Sequence, residues 1–485
     1  MGEAAAWDHP VWLVGGTVRD RELGRFSPDI DAVTPGDPAQ LARRVARRLG
    51  TSCFPLSAEF GAYRVVGPVA EVPDALGHTA KALLGRVGSH LDIAALRGGS
   101  LDADLACRDF TVNAMALPLA GGALIDPFGG CGHLAEGRLL PVGPTIFADD
   151  PLRLMRAARF EHVLGLEIGP ELRTLVRAEA ARLPAAAAER ILGEMVLTLE
   201  AGRSAAAATA WDDLGLLEVV LPEVAALRDV GQSAFHHHDV LGHTLEALEH
   251  LDRLITEPGR LFGSSWEVLE RRLSQPVDGS MSRPVALRLA MLLHDVAKPE
   301  TRTVDGSGRV IFWGHTELGG QVAEAVGGRL RCSSAVSALA RTVAERHLDI
   351  GFLQHREPLP KREIVRFLWR SMPWEPEVIM VSVADRLATR GPSVVDSHVD
   401  GHLAVARTLM DVWRERLEHG VPSPPIDGDV VMKELALAPG PLLGEVMREV
   451  RLAWEAGELR DRAAALALAA DHLDGLRRGA TGDIS

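Results

Sequence analysis

Hydrophobic and polar positions are spaced differently in the two parts of this chain. Residues 11–18, VWLVGGTV, begin as an apolar run of strand length and break on a glycine pair, which predicts a buried strand, a turn and a helix start. A second strand is predicted over 30–34, then a helix over 38–49, where apolar residues recur at helical spacing among arginines. Further strand signals fall at 62–67 (AYRVVG), 91–95 (LDIAA) and 112–117 (VNAMAL). Beyond about residue 148 the pattern becomes long amphipathic segments rich in Ala, Leu and Arg, and helices are predicted. Turn residues and weak periodicity at 222–236, 257–283 and 420–428 mark candidate junctions. The expected class is α+β, a mixed head preceding a mostly helical remainder.

At 485 residues the chain exceeds one ordinary core, so three or four units are expected. Hydrophobic residues at 47% and charged residues at 24% suit a soluble globular protein. No apolar run reaches bilayer length, and the start MGEAAAWDHP lacks a secretory signal and the Ser or Thr of a myristoylation signal. Cys53, Cys107, Cys131 and Cys332 are scattered, which suits reduced thiols better than disulfides or a zinc ribbon. A cytoplasmic protein with no membrane partner is expected. The net charge of −14 taken alone disfavours a nucleic-acid partner, yet a local basic face can sit on an acidic protein. Arg43, Arg44, Arg47 and Arg48 form such a cluster, although a solvated helix face explains it as well. Composition leaves the partner open.

The sharpest local feature is Asp29-Ile30-Asp31. Alternate strand residues point to one face, so both carboxylates reach the same place. They would repel unless divalent cations lay between them, and Mg²⁺ binds through carboxylates together with substrate phosphates. Upstream, Leu13-Val14-Gly15-Gly16-Thr17-Val18-Arg19-Asp20 offers glycines for close phosphate approach and a helix start with free N–H groups. Each motif has a plain reading, a surface D-x-D and a tight turn; together they describe a triphosphate cradle facing a metal site. Asp92, in Leu91-Asp92-Ile93, reads either as a third carboxylate or as a strand-end turn residue.

These motifs, followed by Arg108-Asp109-Phe110-Thr111-Val112-Asn113-Ala114, Asp126-Pro127-Phe128-Gly129-Gly130 and Asp149-Asp150-Pro151-Leu152-Arg153, resemble the class II tRNA nucleotidyltransferase and bacterial poly(A) polymerase family over about residues 11–200. The resemblance implies a polymerase-beta-like head, a small mixed sheet with helices, followed by helical neck, body and tail. It also implies Asp29, Asp31 and Asp92 as catalytic carboxylates, with Mg²⁺ on Asp29 and Asp31. The implied partners are ATP, CTP and a tRNA 3′ end, whose hydroxyl attacks the NTP α-phosphate. Nucleotide contacts would come from Gly15, Gly16, Arg19, Arg108, Asp109, Asn113, Asp149, Asp150, Arg153, Arg156 and Arg159. In that set Asp150 accepts from the exocyclic amine of C or A and Arg153 donates to ring acceptors; U and G present a carbonyl instead. Asp150 before Pro151 is equally a good helix cap, and the two roles are compatible.

Two departures from the family pattern stand out. Asp149 replaces the usual Glu, and Cys107 replaces the first of two arginines. The segment from Asp92 to Arg108 is short, a length found in members with different products. CCA, CC, a single A or a poly(A) tail all remain open.

The second constellation is His243, His294-Asp295, His315, His347 and Asp385. His294-Asp295 ends an apolar helical run, where a charged pair needs a partner or a metal. The order H…HD…D resembles the HD superfamily of metal-dependent phosphohydrolases over about residues 231–395. It implies His243, His294, Asp295 and Asp385 as ligands, with His315 and His347 on a second metal or a phosphate, and Lys298 near phosphate. Imidazole and carboxylate together suit Mn²⁺, Ni²⁺, Co²⁺ or Fe²⁺. His236–His238 read either as substrate contacts or as a polar lead-in. The expected activity is on phosphomonoesters or cyclic phosphates.

The expected organisation is a head over 1–147, a neck and body over 148–230, an HD domain over 231–400 and a tail over 401–485. The tail carries Pro425-Ile426-Asp427-Gly428-Asp429 and Pro439-Gly440-Pro441, and is expected to touch tRNA or a second subunit, in a monomer or homodimer. A nucleotidyltransferase joined to an HD domain also resembles the signalling uridylyltransferases. Those carry C-terminal sensor domains for which this chain has too few residues, and they lack the D-F-T and D-P-L-R motifs. A catalytically silent RNA-binding head is a third reading, against which Asp29 and Asp31 stand.

Overall fold

A computed structural model describes residues 8–25, 29–57, 61–66, 90–257, 259–279, 281–356 and 358–482. The chain forms two compact units, Met1–Met195 with Ala210–Val220, and Val196–Thr209 with Leu221–Ser485.

The first unit is built on a six-stranded sheet: β1 Trp12–Val14, β2 Asp29–Thr34, β3 Cys53–Ser57, β4 Ala62–Val66, β5 His90–Ala95 and β6 Ala116–Pro118. The order is β3-β4-β5-β2-β1-β6, and only β2 and β5 pair in parallel. Ile30 and Ala32 of β2 face one side and pack with Leu41, Ala42, Val45, Ala46 and Leu49 of the helix Pro38–Leu49. That helix matches its predicted span because its ends are local: Asp37 accepts from the N–H groups of Ala39 and Gln40, and Gly50 closes it at φ 66°. Arg43, Arg47 and Arg48 lie on its exposed outer face. Asp29, Asp31 and Val33 point to the other side, where Val33 packs with Val14, Leu105 and Ala116. Alternation along β2 thus delivers both carboxylates to the face away from the helix.

Three stretches differ from the prediction, one of them a strand the sequence did not announce. β3 carries Pro55, which weakens its strand signal but is tolerated because β3 is an edge. The signal at 112–117 resolves into a tight helical turn, Thr111–Asn113, before the short β6. There Gly130 packs so closely on the Thr111 carbonyl that no side chain fits at 130. Within 257–283, the helix Trp266–Ser274 buries Leu269 and Leu273, so this stretch is not simply a junction.

Among its described residues the second unit is helical apart from a two-stranded ribbon, Arg302–Val304 with Val310–Phe312. At its centre the helix Arg283–Leu293 is buried along its whole length. Its two buried cations are paired, Arg283 with Glu377 at 2.6 Å and Arg288 with Asp252 at 2.6 Å. Val240–Thr256, His315–Arg329, Ser334–Arg346 and Glu375–Ala388 complete the core. The helices Gly428–Glu434, Pro441–Glu455 and Arg462–Gly482 close over their own small core of Val431, Val446, Val450, Ala465, Ala469 and Leu473. Among the described residues no helix is long and apolar enough to cross a membrane.

Candidate functional site

Two centres emerge, one in each unit. In the first, Thr17 joins the glycine turn to β2: its hydroxyl accepts from the Asp31 N–H at 2.7 Å and donates to the Asp29 carbonyl at 3.3 Å. Gly15 sits at φ 66°, and a Cβ there would stand 2.8 Å from Arg108 Nη1 and 3.4 Å from Asp31 Oδ2. Glycine backbone, guanidinium and carboxylate therefore converge on one cradle. Burial pushes the Asp31 carboxyl up to about 6; Arg108 opposes the rise, and Asp92 and Asp29 add to it. A cation would relieve this crowding of carboxylates, so the donor set fits Mg²⁺.

Asp92 lies beside Asp31 in the parallel register of β2 and β5. It is not an uncommitted third carboxylate, because Arg64 holds it through two hydrogen bonds of 2.8 and 2.7 Å. Arg108 is aimed by Asp104, which is buried and accepts from its Nε and Nη2 at 3.1 and 2.9 Å. Asp104 also accepts from Arg97 at 3.0 Å, so the short segment after β5 is locked onto the cradle.

The remaining expected nucleotide contacts form a largely buried network. Asp109 accepts from the Phe110 N–H, Asn113 and Arg156 at 2.8, 2.9 and 2.8 Å. Burial acts to raise its carboxyl, yet Arg156 and these hydrogen bonds hold it at about 2. Asn113 accepts from Arg19 at 2.8 Å, and Arg159 binds Glu194 at 2.6 Å. The guanidiniums of Arg19, Arg156 and Arg159 lie 5.3, 5.2 and 4.5 Å from the Phe160 ring centroid.

Asp150 and Arg153, expected to read one base together, turn to different partners. Arg153 turns inward and donates to the carbonyls of Cys107, Arg108 and Ile146 at 2.7, 3.4 and 3.3 Å. Asp150 binds Arg190 at 2.8 Å and accepts from the Leu152 N–H at 3.2 Å, capping a turn that precedes the helix Arg153–Arg159. Leu152 is the cap residue of that helix, so the expected cap at Asp150 acts one turn earlier. Asp149 accepts from Thr145 at 3.2 Å. Sequence reasoning missed Thr17, Arg64, Asp104, Arg190 and Glu194. Arg64, a lone cation in an apolar strand, was the one with a local signal.

In the second centre His294 and His347 follow directly on the last residues of two helices, and His315 opens a third. Each ring is anchored through Nδ1 on the carbonyl three residues back: His294 on Met291 at 2.8 Å, His315 on Phe312 at 2.7 Å and His347 on Ala344 at 2.9 Å. Such anchoring turns Nε2 inward, where the neutral ring presents its lone pair. All three Nε2 atoms surround Asp295, at 3.2, 3.6 and 3.6 Å. His243 Nε2 lies 2.8 Å from Asp385 Oδ1, and Lys298 Nζ lies 2.6 Å from Asp295 and 2.8 Å from Gln232.

Buried His294 Nε2, Asp295 Oδ1 and His315 Nε2 make no hydrogen bond. Leaving such groups unpartnered costs about 1–3 kcal/mol each, whereas a divalent cation would use all three. Their atoms fall into two sets, His243/His294/Asp295 and Asp295/His315/His347, which share Asp295. Burial lowers His294, but Asp295 and Asp385 outweigh it and push the ring up to about 10. The pocket calls for positive charge, which fits a divalent metal. His236, from the lead-in, stacks edge-on against His243 with ring centroids 4.7 Å apart.

Comparisons with known proteins agree with this division. Residues 11–140 match a profile described as the poly A polymerase head domain, 165–227 one described as a probable RNA and SrmB-binding site of polymerase A, and 240–390 the HD domain. An A-adding tRNA nucleotidyltransferase of Deinococcus radiodurans is 33% identical over 453 residues, 92% of each chain. A CC-adding tRNA nucleotidyltransferase of Thermus thermophilus is 32% identical over 457 residues, 92% of this chain and 90% of its own. The Thermotoga maritima CCA-adding enzyme, solved with tRNA, superposes with a TM-score of 0.55 at 20% identity over 97% of this chain and 93% of its own.

Proposed function

The chain belongs to the tRNA nucleotidyltransferase family, with a poly(A) polymerase head and an HD domain, and on that premise we propose that this nucleotidyltransferase adds C, A or both from CTP and ATP to the 3′ end of tRNA. The observation that carries the reading is the convergence of Gly15, Arg108 and Asp31. Gly15 and Gly16 let the triphosphate approach the backbone, and Arg108, held by Asp104, neutralises its charge. Asp29 and Asp31 would hold Mg²⁺, which would acidify the 3′-hydroxyl and offset charge on the leaving pyrophosphate. Asp150, oriented by Arg190, accepts from the exocyclic amine of C or A and disfavours the carbonyl of U or G. Arg153 acts from below, fixing the backbone at Cys107 and Arg108. Arg19, Asp109, Asn113, Arg156 and Arg159 form a hydrogen-bonded network next to the cradle.

The test is extension at single-nucleotide resolution of tRNA transcripts ending before CCA, after C and after CC, with CTP and ATP separately and together. Full CCA on the first transcript identifies a CCA-adding enzyme. A added only to the CC end identifies an A-adding enzyme, C alone on the first transcript a CC-adding one, and a long A ladder a poly(A) polymerase. No extension of any transcript overturns the reading.

The second centre supports a metal-dependent phosphohydrolase acting on phosphomonoesters or 2′,3′-cyclic phosphates, carried by the unpartnered ligand atoms around Asp295. His243, His294, Asp295 and Asp385, with His315 and His347, would hold a divalent metal such as Mn²⁺, Ni²⁺, Co²⁺ or Fe²⁺, which would supply an activated water. Lys298, steered by Gln232, is placed to take phosphate charge. Protein loaded with Ni²⁺ or Mn²⁺ that hydrolyses neither substrate class overturns this half of the reading.

A further inference from the structure

Outside both centres, two histidines and a glutamate of the second unit meet at one point. His237 and His238 lead into the helix Val240–Thr256, and Glu246 lies on that helix. Glu246 Oε2 is 3.2 Å from His237 Nε2 and 3.9 Å from His238 Nε2. One ligand atom from each residue lies within 4.8 Å of the other two. A tetrahedral ion with bonds of about 2.0–2.1 Å sets its ligands roughly 3.4 Å apart, so this spacing suits a single ion. Glu246 Oε2 is itself buried and makes no hydrogen bond of proper geometry, although His237 stands beside it.

The lead-in is held in place by contacts that do not use these ligand atoms. Asp239 accepts from the Gly242 N–H at 2.7 Å and the Asp229 N–H at 2.6 Å. Gln232 donates to the His238 and Asp239 carbonyls at 3.4 and 3.2 Å. A Cβ at Gly242 would come within 3.0 Å of His238 Cβ, so the glycine lets His238 lie close against the helix. The three residues of the histidine run thus divide their roles. His236 stacks on His243 of the buried centre, while His237 and His238 turn to Glu246 with side chains 35% and 49% exposed.

We propose that His237, His238 and Glu246 form a further divalent-metal site, open to solvent and separate from the ligands around Asp295. Two imidazoles and one carboxylate select Zn²⁺, Co²⁺ or Ni²⁺ over Mg²⁺, and three protein ligands leave a position for water or a phosphate oxygen. The site does not depend on the phosphohydrolase reading.

Co²⁺ is the probe, because its visible absorption reports coordination and bound ions can be counted after gel filtration. Full-length, tag-free protein stripped of metal is titrated in an Asp29→Asn, Asp31→Asn and Asp295→Asn background, which disables the head carboxylates and both buried sets. One equivalent of Co²⁺ remains bound there, is lost when His237→Ala and His238→Ala are added, and binds at least tenfold more weakly with Glu246→Gln. The same histidine pair changed in the otherwise unaltered chain lowers its Co²⁺ count by one, which decides the matter if Asp295→Asn does not fold. A Co²⁺ count and spectrum unchanged by removal of the two histidines would mean an ion pair without a metal and would overturn the proposal.

Discussion

The Arg108 guanidinium occupies the space that a side chain on Gly15 would enter, 2.8 Å from the Cβ position. Glycine is required twice over, for φ 66° and for the clearance. Gly15→Ala should cost about 1–3 kcal/mol of stability through the backbone, whose φ 66° and ψ −137° only glycine adopts readily. It should also displace Arg108, raising the KM for ATP and CTP at least tenfold while the KM for tRNA transcripts changes little. Steady-state kinetics with each substrate varied in turn checks this.

Asp104 governs Arg108 from the opposite side. Being buried and paired with both Arg97 and Arg108, it cannot be neutralised without leaving two guanidiniums short of a partner. Asp104→Asn is expected to destabilise the fold by roughly 3 kcal/mol, the range for breaking a buried ion pair. Nucleotide KM should rise as for Gly15→Ala, and urea unfolding beside kinetics separates the two effects.

Asp109 makes stability depend on acid. Its carboxyl is held at about 2, below the ordinary 3.8, so the folded state binds its proton less readily than the unfolded state does. Its contribution is complete above about pH 4 and is lost as pH falls toward 2. The shift corresponds to roughly 2 kcal/mol. The stability gap between the native chain and Asp109→Asn, measured by urea unfolding, should therefore narrow by about two thirds of that amount between pH 6 and pH 2.5. A gap that stays constant would mean that Asp109 does not titrate in this way.

In the second centre Asp295 belongs to both ligand sets and His315 to one. Asp295→Asn should remove two metal equivalents relative to the parent chain, and His315→Ala one. Hydrolysis of a phosphomonoester should fall by at least a thousandfold in the first variant. Metal counting by atomic emission beside an activity assay tests both, and equal metal loss in the two variants would contradict the shared role of Asp295.

What the sequence predicts here depends on distance along the chain. The helix Pro38–Leu49 is readable because its cap, its first proline and its closing glycine are contiguous with its apolar stripe. Asp29 and Asp31 are readable as a pair because strand alternation is a two-residue rule. The Arg64–Asp92 clamp joins residues 28 apart, and Arg159–Glu194 joins residues 35 apart. Such partners are chosen by tertiary packing, and no periodicity announces them. Arg153 shows the same limit: the motif places it beside Asp150, while the fold turns it toward three backbone carbonyls. The buried histidines were found as a set, but the anchoring of His294, His315 and His347 on backbone three residues back appears only once the helix ends are built.

The clamp on Asp92 separates two kinds of carboxylate at the head. Asp31 is crowded and raised to about 6, as a group awaiting a cation would be, whereas Asp92 already has both oxygens satisfied by Arg64. For Asp92 to join Mg²⁺ it must share its oxygens with a two-pronged ion pair that is only partly exposed. Asp29→Asn and Asp31→Asn should each abolish nucleotide addition, by a factor of at least a thousand. Asp92→Asn should retain measurable activity and shift the Mg²⁺ concentration for half-maximal rate by less than about threefold. Arg64→Ala should act in the opposite sense, because it leaves three carboxylates facing one another. Mg²⁺ should then half-saturate at lower concentration, while the KM for nucleotide rises. Mg²⁺ titrations of extension rate on a tRNA transcript distinguish the cases; loss of activity in Asp92→Asn as deep as in Asp31→Asn would make Asp92 a working ligand despite the clamp.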